Sequence, residues 1–283
     1  MLALAGVTIL SFDSLLVKLV VASPWDLLFW QGILLSATLL LVTLLSRRAA
    51  PQRTWLPYSY MTYLGGLAYA VSMVFFVLAL GHTQVASALV ISNTAPFFAA
   101  LIGLLALKEK LPTHTVLAIG VATAGIWIIF EYAPVASELR GDCYALLSAL
   151  GTAGYLVIMR AARGKSGADY LIVAGVIIAL MALVNGAEPM ALKGSSILFM
   201  AVLGCLVVPA SGLCIAKAPK YLPAAQTGLI MLLEILLGPL FVYCALGEQP
   251  SNNDIMGGTL VLLTLIAHTL WELRLQNRAA QTN

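Results

Sequence analysis

The chain has 283 residues, of which 61% are hydrophobic and 10% are charged, and its formal net charge is +3. Soluble domains carry about 25% charged residues, so this composition excludes a soluble globular protein. The small and scattered net charge also excludes a protein that binds nucleic acid. The composition predicts an all-α polytopic membrane protein.

Ten apolar stretches are long enough to cross a bilayer, which requires roughly 17–25 mostly apolar residues. In chain order the predicted spans are 2–22, 25–46, 58–80, 85–107, 113–131, 142–160, 168–187, 196–217, 222–246 and 253–273. The polar breaks between them are short, so the function is expected to lie within the helical bundle. The first span starts at Met1 without a basic segment, and no cleaved signal peptide is expected.

The lysines and arginines near the ends of the spans predict the orientation. Twelve of them fall on one side of the predicted spans, whereas only Arg140 and Lys193 fall on the other. Basic residues in short loops stay in the cytoplasm. Both termini are therefore predicted to be cytoplasmic, residues 274–283 are predicted to form a short tail, and the protein is expected in the inner or plasma membrane.

A weak internal repeat divides the chain into two halves. Residues 86–112 resemble residues 224–250, since both contain a proline within an apolar span and end in Ala-Leu-x-Glu, at Glu109 and Glu248. The repeat aligns spans 1–5 (residues 1–131) with spans 6–10 (residues 142–273). Because five is an odd number, the second half is predicted to be inverted in the membrane, as in many secondary transporters.

These features resemble the EamA family of the drug/metabolite transporter superfamily. The resemblance rests on ten helices in two five-helix halves, on prolines in the fourth and ninth spans, and on "ALGE" at 245–248. It covers essentially the whole chain and is closest to ten-helix exporters of amino acids and related metabolites. The resemblance implies a substrate site in a central cavity between the two halves.

Two carboxylates fall near the middle of predicted spans, Asp13 in the first and Glu234 in the ninth. A charge at that depth costs roughly 2.5–3.5 kcal/mol, so each is expected to face a wet cavity, a partner or a proton. A carboxylate there can carry a proton near neutral pH or bind the ammonium group of a substrate. A structural ion pair between Glu234 and Lys18 is the alternative.

Further candidates accompany three prolines that interrupt spans 4, 8 and 9. A proline inside a helix leaves a carbonyl without its N–H donor, which is tolerated at membrane depth where it lines a cavity. Pro96, Pro209 and Pro239 are therefore predicted to mark kinks or gates. The other polar residues predicted to bind substrate or ions are Asn93, Ser211, Tyr69, Tyr155 and Lys18. Packing is the alternative for the first four, and for Lys18 the alternative is a side chain that snorkels outward. Small residues at 65–70 and 148–154 predict close helix contacts.

No metal, cofactor or catalytic site is expected. The four cysteines have no metal-binding spacing, and His82 in an outer loop, His114 at the start of span 5 and His268 near the inner end of span 10 form no recognisable site in the sequence. The sequence contains no HExxH, GxSxG or GxxxxGK[ST] motif, which argues against an embedded enzyme and against nucleotide binding. A channel would need a repeated filter motif or an oligomeric pore.

The predicted function is a secondary transporter that exports small polar metabolites, such as amino acids or related amines, by alternating access. Two modes remain open from the sequence, proton-coupled antiport and uncoupled facilitation, and a membrane-embedded enzyme is a third, weaker alternative. The expected partners are a small-molecule substrate and the lipid bilayer. Two complete halves favour a functional monomer.

Overall fold

The computed structural model describes residues 2–49, 59–106, 112–131, 136–162, 167–217 and 230–281, and every regular element in these ranges is a helix. Thirteen α-helices are described: α1 (Leu2–Leu10), α2 (Asp13–Leu19), α3 (Pro24–Ala49), α4 (Tyr60–Leu80), α5 (Val85–Ser92), α6 (Ala95–Ala106), α7 (Thr113–Glu131), α8 (Ala136–Ala161), α9 (Gly167–Val184), α10 (Ser195–Val202), α11 (Val208–Lys217), α12 (Leu233–Leu246) and α13 (Asn252–Gln281). A 3₁₀ turn at Pro189–Ala191 precedes α10, and a π-helical turn at Leu203–Val207 joins α10 to α11.

Seven helical stretches in these ranges are long and apolar enough to cross a membrane. They are Pro24–Leu45, Tyr60–Leu80, Val85–Leu105, Thr113–Phe130, Ser137–Ala161, Ser195–Cys214 and Asn252–Gln276. The three other predicted spans coincide with the broken pair α1 and α2 and with two shorter apolar helices, Ala168–Val184 and Leu233–Leu246. The chain is thus a helical membrane protein, and the count of ten spans remains a prediction.

The predicted ninth span and the predicted C-terminal tail are described only in part. Glu109 and residues 222–229 of the predicted ninth span lie outside the described residues. The first residues of the predicted cytoplasmic tail at 274–283 continue α13 as far as Gln281, and the cytoplasmic location of the tail stays a prediction. Residues 272–278 contain charged and polar side chains that favour helix, with neither glycine nor proline to end it.

Neighbouring helices pack in a regular set of pairs. Helix α3 packs along α9, α4 along α8 and α9, α7 along α13, and α1 along α11. Exchanging the two predicted halves replaces span 1 by span 6, span 2 by span 7, and so on. The contact of α3 with α9 is then a pair of spans 2 and 7, the contact of α7 with α13 is a pair of spans 5 and 10, and the exchange leaves both pairs unchanged. The pair 3–6 exchanges onto the pair 8–1, and both of these pairs are present.

Small residues allow these helices to approach closely. A Cβ atom added to Gly66 of α4 would lie 2.7 Å from a methyl group of Val173, and one added to Gly151 of α8 would lie 2.7 Å from the backbone nitrogen of Ser72. These are the close contacts predicted for 65–70 and 148–154. Ser72 also hydrogen-bonds Thr152 across the same seam, with an oxygen–oxygen distance of 2.6 Å.

Candidate functional site

A break in the first predicted span positions Asp13. Helix α1 ends at Leu10, and α2 begins at Asp13 after a turn. The hydroxyl of Ser11 donates to the carbonyl of Val7 at 2.9 Å, a back-bond that often bends helices. Asp13 therefore starts a new helix inside the bundle, and only 4% of its surface is exposed.

The buried polar atoms around this break are not satisfied by the described chain. Asp13 Oδ1 and the hydroxyl of Ser14 are buried, and neither has a hydrogen-bond partner among the described residues. Most buried polar atoms in proteins are paired, so such atoms require an explanation, such as water, a proton or a ligand. Two of them on adjacent residues indicate a place built for a polar group.

Glu234 lies in the first turn of α12, close to this break. It is half-buried, and it interacts electrostatically with Asp13. One turn further along, a Cβ atom added to Gly238 would lie 3.3 Å from the hydroxyl of Ser14. The stacked rings of Phe12 and Phe241, with centroids 4.4 Å apart, also join the break to α12. The structure thus brings together the two acids that the sequence places 221 positions apart.

Three tyrosines extend from this acidic pair. Tyr69 of α4 interacts electrostatically with Asp13, Glu234 and Tyr155. The rings of Tyr69 and Tyr155 meet edge to face with centroids 5.3 Å apart, and Tyr155 meets Tyr170 in the same way at 6.0 Å. Helices α4, α8 and α9 therefore provide a continuous aromatic wall beside the carboxylates.

Tyr170 was not predicted from the sequence. It is only 1% exposed, and its buried hydroxyl has no hydrogen-bond partner in the described part of the chain. Gly65 makes room for it, since a Cβ atom there would lie 2.5 Å from the tyrosine ring. The feature that marks Tyr170 is its contact with Gly65. This contact joins two helices and is not visible in the sequence alone.

The remaining predicted polar contacts are engaged with their own helices. The amide group of Asn93 donates to the backbone carbonyl of Leu89 at 2.9 Å. The hydroxyl of Ser211 donates to the backbone carbonyl of Val208 at 3.1 Å. The fourth span breaks between α5 and α6, just before Pro96, as a proline-induced kink would. Asn93 and Ser211 stay predictions as substrate contacts.

The two other prolines lie in differently perturbed helices. Pro209 follows the π-helical turn. Because proline has no N–H, it cannot donate to the carbonyl of Cys205, which belongs to that turn. Pro239 lies inside α12, five residues after Glu234, and leaves the carbonyl of Ile235 without that donor. Both positions are compatible with kinks, and a gating role stays a prediction.

Lys18 pairs with a different acid from the one expected. Its Nζ lies 3.1 Å from Glu248 Oε2, so the predicted alternative, a Lys18–Glu234 ion pair, is wrong in this structure. Helix α2 places Lys18 five residues after Asp13, about one and a half turns along the helix and on another face. Glu248 also accepts a hydrogen bond from the backbone N–H of Val85 at 2.8 Å.

Glu248 belongs to a polar closure, which we define by four contacts: Lys18–Glu248, Val85–Glu248, Gln84–Ser251 and Ser87–Asp254. The backbone N–H of Ser251 donates to Gln84 Oε1 at 3.0 Å, and the hydroxyl of Ser87 donates to Asp254 at 2.5 Å. Each contact joins the first 131 residues to residues beyond 142. The roles of Ser87 and Asp254 are not evident from the sequence, because polar residues at the start of a helix are also common as caps.

Comparison with known proteins decides the family. A sequence profile of the EamA-like transporter family matches residues 1–131 and matches again at residues 139–269. This chain belongs to the EamA-like transporter family. The resemblance drawn from the sequence is therefore confirmed, and the protein is a multi-pass membrane transporter.

Two individual proteins are similar to this chain. An uncharacterized transporter of Clostridium kluyveri is 26% identical over 217 residues, which cover 72% of this chain and 70% of the relative. A crystal structure of a protein with 18% sequence identity superimposes with a TM-score of 0.68 and covers 97% of this chain and 96% of its own. At that identity the second likeness concerns the fold alone.

The acidic pair gives this EamA-like transporter a site with a defined chemistry. Two carboxylates near each other repel when both are ionised, and poor hydration strengthens the repulsion. A proton on one of them, or a cationic ligand between them, removes it. Among the described residues no lysine or arginine forms an ion pair with either acid. The site is therefore suited to bind protons or cationic groups.

The Lys18–Glu248 pair is expected to make a measurable but modest contribution to stability. Its side chains are 24% and 25% exposed, so the coupling energy from a double-mutant cycle of Lys18→Gln and Glu248→Gln is expected to be about 0.5–1 kcal/mol. Thermal unfolding of the purified protein in detergent measures it. Exposed Lys193→Gln serves as the control, and a coupling indistinguishable from zero would contradict an ion pair that stabilises the closure.

Proposed function

We propose that this EamA-like transporter exports small solutes that carry a protonated amine, such as amino acids or related amines, by alternating access in exchange for protons. The observation that carries the proposal is the acidic pair Asp13 and Glu234, beside an aromatic wall and without a described basic partner. An ammonium group matches both features, because carboxylates attract it and tyrosine rings interact favourably with cations.

The proposed architecture is ten spans in two inverted five-span halves, residues 1–131 and 142–273. Two observations support it. The family profile matches twice in succession, at residues 1–131 and 139–269. The starts of the two matches are therefore 138 positions apart (139 − 1), which agrees closely with the 139 positions between Glu109 and Glu248. The helix pairs also exchange onto one another when the halves are exchanged. Two similar packings of such halves are the basis of alternating access.

We place the protein in the inner or plasma membrane, with both termini in the cytoplasm. The distribution of lysines and arginines supports it. In that orientation the polar closure lies on the outer side. Because all four of its contacts cross between the halves, it would hold the outer side shut, and opening the transporter outward would require these contacts to break.

Proton exchange follows from the same chemistry. If the pair holds a proton when it is empty of solute, an ammonium group that binds between the acids would displace it. Each cycle would then carry an amine in one direction and a proton in the other. An uncoupled facilitator is the alternative, in which the acids only bind the solute.

A transport panel tests the function. The purified protein in liposomes would be given labelled amino acids, simple amines and, for each amine, the analogue with a hydroxyl group in place of the amino group. We expect amine uptake that an imposed pH gradient accelerates, and no uptake of the hydroxyl analogues. Amine uptake that ignores the gradient would indicate the facilitator, and uptake of hydroxyl analogues at the same rate would contradict recognition of the ammonium group.

A further inference from the structure

A cluster of two histidines and a glutamate lies away from the acidic pair, between the predicted fifth and tenth spans. Nε2 of His114, in the first turn of α7, lies 2.7 Å from Glu272 Oε1 of α13. His268 precedes Glu272 by four residues and so shares its helix face. One ligand atom from each of His114, His268 and Glu272 can be chosen so that all three lie within 4.8 Å of one another. The sequence alone does not show this cluster, which forms where α7 and α13 meet.

The two helices that carry the cluster are held firmly against each other. A Cβ atom added to Gly257 of α13 would lie 2.5 Å from the carbonyl oxygen of Gly125 of α7, so the backbones are nearly in contact. The rings of His114 and His268 lie with their centroids 5.6 Å apart. The hydroxyl of Thr115 lies 3.1 Å from Nε2 of His268 and fixes that ring. The backbone frame of the cluster is therefore set before any ligand binds.

This set of side chains has the chemistry of a transition-metal site. Imidazole nitrogens suit zinc, copper, nickel and cobalt, whereas magnesium and calcium prefer sites made only of oxygen atoms. Two histidines and one glutamate also form a common three-ligand set for zinc, with a fourth position left for water. Metal–ligand distances of about 2.0–2.2 Å place neighbouring ligand atoms roughly 3.3 Å apart, and rotation of the side chains would reach this spacing.

The side chains have room for such a rotation. His114 and Glu272 are 21% and 34% exposed, so neither is locked by packing on all sides. In addition, the hydroxyl of Thr115 against one nitrogen of His268 resembles the outer hydrogen bond that commonly orients a metal-bound histidine. The cluster thus combines a fixed backbone, adjustable donor atoms and an orienting neighbour.

We propose that His114, His268 and Glu272 bind one divalent transition-metal ion, with zinc as the best match. The ion would bridge a helix of the first 131 residues and a helix of the second match to the family profile. It would be separate from the solute site, since its ligands lie on α7 and α13 and the acidic pair lies on α2 and α12. The proposal does not depend on which solute is transported.

The test uses the full-length protein, purified in detergent through a tag without histidine. Zinc binding would be measured by calorimetry, and cobalt binding by its visible absorption. We expect one ion per chain in the wild type, with affinity reduced at least about tenfold in His268→Ala and in Glu272→Gln. Glu272→Gln keeps a side chain that can hydrogen-bond His114, so it preserves the contact while it removes the charged ligand.

His82→Ala is the matched control, because it removes the third histidine, which bonds the carbonyl of Leu78 and lies next to Tyr144. It is expected to bind the metal as the wild type does. The four free cysteines are controlled for by the cobalt spectrum, since thiolate ligands add strong near-ultraviolet bands. The proposal is overturned if the wild type binds no zinc or cobalt, if thiolate bands appear, or if His268→Ala and Glu272→Gln bind with wild-type affinity. The cluster would then be a hydrogen-bonded His–Glu pair.

Discussion

Replacing Glu234 with glutamine is expected to reduce amine transport about 10- to 100-fold in proteoliposomes. The substitution keeps the size and the polarity of the side chain but removes the charge that interacts electrostatically with Asp13. Loss of one charge-assisted contact costs about 1.5–3 kcal/mol, and about 1.4 kcal/mol corresponds to a factor of ten. Any remaining transport is expected to lose its response to a pH gradient, because the pair can then no longer exchange a proton in the same way.

The control for this experiment is Glu188→Gln, which neutralises an exposed carboxylate in the loop before α10. It is expected to transport as the wild type does. Asp13→Asn provides the second arm, since it alters the other member of the pair and should give a defect of similar size. Wild-type transport rates and a preserved gradient response in Glu234→Gln would show that the acidic pair is structural.

Replacing Gly32 with alanine is expected to destabilise the protein by about 1–3 kcal/mol, the usual cost of forcing an extra group into a packed contact. A Cβ atom at this position of α3 would collide with the carbonyl oxygen of Gly175 and lie 2.9 Å from the backbone nitrogen of Ala179 on α9. Ser36 also donates to the carbonyl of Ile172 across the same contact at 2.8 Å. Because backbone atoms block the new methyl group, whole helices would have to move apart.

Gly120→Ala is the matched control for this prediction. A Cβ atom at Gly120 would meet nothing within 4 Å among the described residues, and alanine is favoured over glycine within a helix by roughly 0.5–1 kcal/mol. The two substitutions are therefore expected to change Tm in opposite directions when unfolding is followed in detergent. An unchanged or raised Tm in Gly32→Ala would contradict the close packing of α3 against α9.

The membrane class and the importance of the two carboxylates were predictable from the sequence. Both follow from the free-energy cost of placing a residue type in the wrong environment. A chain with so few charges cannot cover a surface in water, and a carboxylate in an apolar run is tolerated only for a reason. Asp13 and Glu234 stand out in the sequence on this ground alone, and the structure brings them together. Kinks at prolines follow from covalent geometry in the same way, and the break before Pro96 shows this.

The partners of side chains were much less predictable. The alternative ion pair of Lys18 with Glu234 does not form, and Lys18 pairs with Glu248, because the choice depends on how α2 is rotated about its axis against α12. His114 and His268 are 154 residues apart, and only the packing of α7 along α13 brings them together. Tyr170 carries no local signal, since aromatic residues are common in membrane helices. Rotation and register between helices are set by packing across the whole bundle, which no short motif records.

The most direct test of the central claim is equilibrium binding of a labelled amine, chosen from the transport panel, to the purified protein in detergent. Wild type, Glu188→Gln and the double variant Asp13→Asn/Glu234→Gln would be compared, with Tm recorded for each. We expect wild-type affinity in Glu188→Gln and a Kd raised at least about tenfold in the folded double variant. A folded double variant that binds the amine as tightly as the wild type would contradict the assignment of Asp13 and Glu234 as the substrate site.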